Sequence, residues 1–343
     1  MKAFWNPVQL AHAPQFFLQR GVVKRNFEVP GRAEALLAAC RAMKLAVEKP
    51  QAAPRSALLE VHPAAYLDFL RDGPAIWAAA EGAGPEMVAN VHPCPEALAN
   101  GARLPDAITG QLGWYTADTA CPITAETWPA AEAAAACAIA AADEVAEGRH
   151  AYALTRPPGH HAYGARAGGH CYLNNAALAA ERLRMRGAGR VGILDIDSHH
   201  GNGTQGIFWR RDDVVFASVH GDPHGYYPWF VGHAGERGEG AGAGCNLNLP
   251  LARGSGDGDW TIAIATGLRL IEETGCDALV VSLGFDASVD EPLGYLAVTA
   301  DGFARAGEMI GKSGLDCALI QEGGYNTEVI GGLLTRFIEG LEA

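Results

Sequence analysis

Short apolar runs alternate with longer amphipathic stretches through the second half of this sequence. Ala151 to Leu154, Arg190 to Ile196, Val214 to Val219, Ala278 to Leu283 and Cys317 to Gln321 are rich in aliphatic residues and show little polar alternation. That is the pattern of strands buried on both faces. Between them lie segments of helical period: Asn175 to Met185, stopped by Gly187, then Asp259 to Glu273, and a helix within Leu296 to Ile310. Upstream, Thr127 to Glu147 is an alanine-rich helix ended by Gly148, and residues 2 to 5 read as a first edge or inner strand. Arg32 to Val47 reads as a helix with Leu36, Ala39, Met43 and Val47 on one face and Pro50 beyond its end. His62 to Leu70 follows a similar period. Glu81 to Gly113 breaks the pattern, with many Gly and Pro and little periodicity. A loop that long is usually functional or an interface element, with a tolerated surface insertion as the alternative. The alternation predicts an α/β protein, residues 1–343 forming one domain around a doubly wound, mostly parallel sheet flanked by helices.

Nearly every polar cluster follows one of the strands. RPPGHH follows the first, SHHGNG the second, SVHGDP the third, GFDASVDEP the fourth and QEGGY the last. Ligands of open α/β sheets bind beyond the carboxyl ends of the strands, so these clusters converge on one edge. Eight of the twelve histidines lie between His160 and His233, which strengthens that reading.

The stretch VGILDIDSHHGNGT, Val191 to Thr204, carries the strongest chemistry. Burying Asp195 and Asp197 at a strand end is unfavourable unless each charge is paired or bound to a metal. Asp197 and His199 are two apart, so in extended chain both side chains face one way. Asp286, just after the apolar strand ending Val281-Ser282-Leu283-Gly284, is the natural third ligand of an open catalytic metal site. Zinc is the default ion, with iron(II), cobalt or manganese able to compete for this oxygen-rich set. His160 and His161, after a Pro-Pro-Gly turn, are candidates for proton transfer near neutral pH, with Asp195 and Asn202 available to orient them. In Glu322-Gly323-Gly324-Tyr325, the glycines permit close approach to a ligand and the Tyr325 hydroxyl can donate to a developing oxyanion.

Composition narrows the partners. The net charge of −13 argues against nucleic-acid binding, and no apolar run is suited to a membrane span. The eight scattered cysteines form no C-x-x-C pair, and without a secretory leader the expected setting is the reducing cytoplasm. A dinucleotide fingerprint is excluded too, because the glycine run Gly238 to Gly244 follows no strand and opens no helix.

Taken in order, RPPGHH (Arg156 to His161), GGHCYLNNAA (Gly168 to Ala177), DIDSHHGNG (Asp195 to Gly203), LGFD (Leu283 to Asp286) and EGGY (Glu322 to Tyr325) resemble the zinc-dependent histone deacetylase superfamily. The resemblance covers essentially the whole chain and within the superfamily is greatest to bacterial acetylpolyamine amidohydrolases. HHGNGTQGIF, HGDP and the region 81 to 113 ahead of Trp114-Tyr115 support that placement. It implies the arginase–deacetylase fold, zinc on Asp197, His199 and Asp286, and His160–Asp195 and His161–Asn202 pairs, with His161 as general base and acid. Tyr325 would polarise the acetyl carbonyl. A structural potassium ion is implied on Asp195, Asp197, His199, Ser218 and Val219, partly through backbone carbonyls. The implied substrate is a small cationic acetylated amine and the implied assembly a homodimer, with the 81–113 insertion at its interface and narrowing the entrance. Protein acetyl-lysine deacetylation, hydrolysis of another small amide, and acetyl-amine binding without turnover are the alternatives.

Spacing separates this pattern from two-manganese ureohydrolases, which use D-x-H-x-D; here the last position is Gly201. Departures from the family pattern are His170 where Phe or Tyr lines the channel, Ser198 where a bulkier residue is common, and Gln321 where an apolar one is common. Tyr227 is expected on the opposite channel wall. Asp118 is expected at the mouth, where it would attract a distant ammonium, while a charged His170 would repel one.

Overall fold

The computed structural model describes residues 1–343, Gln19 through its backbone alone. Ten strands form in chain order: β1 Lys2–Phe4, β2 Phe16–Gln19, β3 Val22–Arg25, β4 Ala46–Glu48, β5 Ala151–Ala153, β6 Val191–Asp195, β7 Val214–Gly221, β8 Asn246–Leu251, β9 Ala278–Leu283 and β10 Cys317–Gln321. The helices are α1 Pro30–Ala42, α2 Arg55–Leu59, α3 Ala64–Ala78, α4 Pro95–Ala99, α5 Ile108–Tyr115, α6 Thr127–Val145, α7 Asn175–Met185, α8 Asn202–Phe208, α9 Asp257–Glu273, α10 Ala300–Gly311 and α11 Ile330–Leu341. Eight strands make one sheet in the order β4-β1-β5-β10-β9-β6-β7-β8, while β2 and β3 form a separate antiparallel hairpin. Every neighbouring pair in the large sheet is parallel. The carboxyl ends of β5, β6, β7, β9 and β10 therefore share one edge.

Two cores sandwich the sheet. Ile193, Val280 and Ile320 point into one with the alanines of α6 and with Leu178 of α7. Their chain neighbours Leu194, Val281 and Leu319 point into the other, with Leu36 of α1, Trp260 of α9, Phe303 of α10 and Phe337 of α11. Successive residues of a strand face opposite ways, so burial on both sides removes polar alternation, as the apolar runs suggested. The small side chains of α6 let it lie close against the sheet.

Several elements differ from the sequence expectation. The helix expected over 32–47 ends at Ala42; Lys44 turns left-handed at φ 59, and Val47 belongs to edge strand β4. Leu45 N–H returns to the Cys40 carbonyl and Lys44 N–H to Arg41, closing the helix end without the glycine that usually marks it. The hairpin β2–β3, edge strand β8 and helix α11 had no assigned element in the sequence reading. The 81–113 segment contains α4 and most of α5, and it buries Met87, Ile108 and Leu112. No helix among the described residues is long and apolar enough to cross a membrane.

Candidate active site

Strand β6 delivers Asp195 as its last residue, and the chain continues to Asp197 and His199; β9 delivers Asp286 three residues past its end. One ligand atom from each of Asp197, His199 and Asp286 lies within 4.8 Å of the others. His199 Nδ1 is 2.9 Å from Asp286 Oδ2 and 3.2 Å from Asp197 Oδ1. Backbone amides fix the carboxylates: Gly323 N–H donates to Asp197 Oδ2 and Ser198 N–H to Asp286 Oδ1, each at 2.8 Å. A Cβ on Gly323 would stand 2.3 Å from Asp286 Oδ2, and one on Gly284 2.1 Å from Asp197 Oδ2. Those two glycines are the space the carboxylates occupy. Two fully buried carboxylates against one imidazole leave excess negative charge, and the donor set of one nitrogen and two oxygens suits a divalent ion. The residues fit a metal.

Next to the ligands, the histidine pair sits in two different environments. His160 Nδ1 is 2.9 Å from Asp195 Oδ2, and His161 Nδ1 is 2.6 Å from Asn202 Oδ1. Burial works against a charge on His160, but Asp195 and Asp197 lift its pKa to about 10. Burial pushes Asp195 up to about 6, with the charge and hydrogen bond of His160 opposing. Burial, then the charges of His160 and His199, hold His161 well below the ordinary histidine range. The two rings are pushed in opposite directions, 4.0 Å apart between centroids. Gly201 is set against the same pair: a Cβ there would lie 2.2 Å from Asp195 Oδ2. Position 201 has no room for the second aspartate of a two-metal site. The register Asp195↔Ser218 brings Ser218 and Val219 of β7 beside Asp195.

Tyr325 is held by residues that the sequence patterns did not single out. Its backbone N–H donates to Glu291 Oε2 at 2.9 Å. Arg32, buried on α1, donates to the carbonyls of Gly324 and Glu322 at 2.5 Å each, and its guanidinium lies 4.8 Å from the Tyr325 ring centroid. Glu28 pairs with both Arg32 at 2.8 Å and Arg156 at 2.9 Å, so one carboxylate is shared by two guanidinium groups whose other N–H groups donate to backbone carbonyls. Glu322 ties the EGGY turn to the histidine turn by accepting from Gly159 N–H at 2.6 Å and His160 N–H at 3.1 Å. Gln321 adds a brace, donating to the Gly323 carbonyl at 2.9 Å and accepting from Tyr152 at 2.8 Å. The unusual Ser198 has its hydroxyl 3.1 Å from that of Tyr226, whose ring stacks on His199 at 4.4 Å.

A cavity of about 690 Å³ opens above these groups, with Phe17 and Leu18 of the hairpin on one side and Tyr227, Trp229 and Phe230 on another. His170 and Asp118 line it too. Asp118 Oδ2 accepts from the Tyr227 hydroxyl at 2.6 Å and from Gly169 N–H at 3.1 Å, and Oδ1 accepts from Ala120 N–H at 2.8 Å. Its carboxylate braces the channel wall while remaining part of the cavity lining. Burial pushes His170 down to about 4, which removes the expected repulsive charge at neutral pH. None of residues 81–113 lines the cavity of the single chain; the hairpin and the 228–231 turn narrow it instead. His200 faces away, its Nε2 near Gln205 Oε1 at 3.1 Å and Asn248 Oδ1 at 3.2 Å.

The histone deacetylase domain matches residues 26–341. Acetylpolyamine amidohydrolase 1 of Pseudomonas aeruginosa is 46% identical over 333 residues, which cover 96% of each chain. The crystal structure of acetylpolyamine aminohydrolase from Burkholderia pseudomallei superposes with a TM-score of 0.95 at 42% identity, covering 100% of this chain and 99% of that one. The HD domain of HDA15 superposes with a TM-score of 0.82 at 28% identity, covering 99% and 88%. The chain belongs to the histone deacetylase family and is a hydrolase of its deacetylating kind.

Proposed function

We propose that this enzyme is a zinc-dependent amidohydrolase that removes acetyl groups from small cationic amines, acetylated polyamines foremost. The observation that carries this is the grouping of Asp197, His199 and Asp286, with His199 sharing the lining of one cavity with His161 and Tyr325. A zinc ion held by those three ligands supplies Lewis acidity toward the amide carbonyl and the attacking water. His161 takes the proton of the water on Nε2, because its Nδ1–H is committed to Asn202. The Tyr325 hydroxyl donates to the carbonyl oxygen as negative charge grows there. His160, already charged by Asp195, stabilises the same developing charge, and His161 passes its proton to the departing amine nitrogen. Iron(II), cobalt or manganese fits the same donors. A potassium ion on Asp195, Asp197, His199, Ser218 and Val219 belongs to this reading, since it offsets the packed carboxylates.

The net charge of −13 and the names of the similar enzymes favour a cationic amine over a protein substrate. A homodimer joined through the 81–113 segment is part of the proposal, supported by Val91, Leu98 and Leu104 exposed there. Eight free cysteines favour a cytoplasmic setting. The test is kcat/KM on acetylated diamines and polyamines, acetyl-lysine peptides and short-chain amides, with zinc- and iron-loaded protein. Preference for peptides overturns the substrate class, and full activity after chelation overturns the metallohydrolase.

A further inference from the structure

Asn202 has one side-chain amide and two partners. Its Oδ1 accepts from His161 at 2.6 Å, and its Nδ2 donates to the Tyr163 hydroxyl at 2.9 Å. The terminal torsion of an asparagine is soft, so one hydrogen bond leaves the amide plane free to swing, whereas a second pins it. Tyr163 is itself seated firmly. Its backbone N–H donates to the Arg166 carbonyl at 2.9 Å, and a Cβ on Gly206 would meet the ring at 2.6 Å. Helix α8 thus presents Asn202 and, one turn on, a bare glycine to the same tyrosine. The ring is also a partition, lining the active-site cavity and a second cavity of about 480 Å³ with His92 and Arg166. A partition needs only the ring. The hydroxyl is the part that reaches Asn202.

We propose that Tyr163 is a positioning residue: its hydroxyl holds Asn202, and through Asn202 holds His161 in the geometry that receives the proton. This rests on the reading of His161 as general base. Oriented imidazoles depend on the group bonded to their other nitrogen, and here that group depends in turn on Tyr163.

A double-mutant cycle on zinc-loaded full-length protein tests it, with an acetylated diamine as substrate. Tyr163→Phe keeps the ring and should lower kcat about three- to tenfold, the worth of one neutral hydrogen bond, leaving KM, metal content and melting temperature unchanged. Asn202→Ala should lower kcat further. In the Asn202→Ala background, Tyr163→Phe should change kcat by less than about twofold, because the hydroxyl no longer has anything to hold. An equal fold-loss in both backgrounds overturns the proposal, as does a change in KM, metal content or melting temperature in place of kcat. His161→Ala is the control for the underlying reading. If it retains turnover, the general-base assignment fails; if it is inactive while Tyr163→Phe matches wild type, only the positioning role fails.

Discussion

Truncating Glu322 should cost this protein much of its stability, while exchanging it for glutamine should not. The side chain is fully buried; Oε2 accepts from the Gly159 and His160 amides, and Oε1 accepts from Ser282 Oγ at 3.3 Å. Glu322→Ala leaves two buried N–H groups unpaired at about 1–3 kcal/mol each, and the void adds to that. The sum is on the order of 3–6 kcal/mol, a large share of the roughly 5–15 kcal/mol typical of a folded domain. Burial pushes the Glu322 carboxyl up to about 7 against the opposing charge of His160, so a neutral side chain of the same shape is close to the native state. Glutamine can point its oxygen at the two amides and its nitrogen at Ser282, so Glu322→Gln should lose under about 1.5 kcal/mol. Urea unfolding of the metal-loaded proteins at pH 7 measures both. The alanine variant should also turn over more slowly, because Tyr325 hangs from the same turn. An alanine variant within about 1 kcal/mol of wild type, or a glutamine variant equally damaged, would refute the bridging role.

Three further outcomes are expected. His161→Ala and Tyr325→Phe should each lower kcat by roughly two or more orders of magnitude while bound metal, measured by elemental analysis, stays constant. Asp286→Ala should instead lose the metal on dialysis, and the apo protein should be inactive until a carboxylate is restored at that position. Acid should destabilise the fold through His62, whose Nδ1–H donates to the Gly164 carbonyl at 2.8 Å and whose Nε2 accepts from Asn174 N–H at 3.0 Å. Burial pushes this ring down to about 4, with the Gly164 carbonyl opposing. The unfolded chain takes up the proton near 6.5, so the contribution is full above that pH and is lost as pH falls toward 4. The loss amounts to about 3 kcal/mol, and urea midpoints of wild type and His62→Gln across that window should differ accordingly.

The parallel strands were readable because each is covered on both sides, which leaves unbroken apolar runs such as Leu279-Val280-Val281. The candidate metal site stood out for a related reason: a strand that is otherwise wholly apolar makes Asp195 at its end, and Asp197 just after it, conspicuous. Elements at the margins were less visible. NLNLPL of β8 is an edge strand that carries a proline, and the helix before β4 ends on a lysine in a conformation usually left to glycine. Least readable was the support of Tyr325. Arg32 and Glu28 look like ordinary surface charges in a row of residues, yet Arg32 meets the Gly324 carbonyl across a separation of 292 positions and Glu28 pairs with Arg156. The bracing role of Asp118 was hidden for a similar reason: its partners, Gly169 and Tyr227, come from loops that only the folded sheet edge brings together.

The crowding at Gly201 also bears on how such enzymes can change. An aspartate at that position, which the D-x-H-x-D spacing of a two-metal site needs, runs into the oxygen of Asp195. Shrinking Asp195 to make room would strand His160 without its counter-charge. Each change alone therefore disturbs the site, so a step toward two-metal hydrolysis would have to alter positions 195 and 201 together. Descendants would diversify at the cavity walls, in the hairpin and the 228–231 turn, with the chemistry at the floor left unchanged.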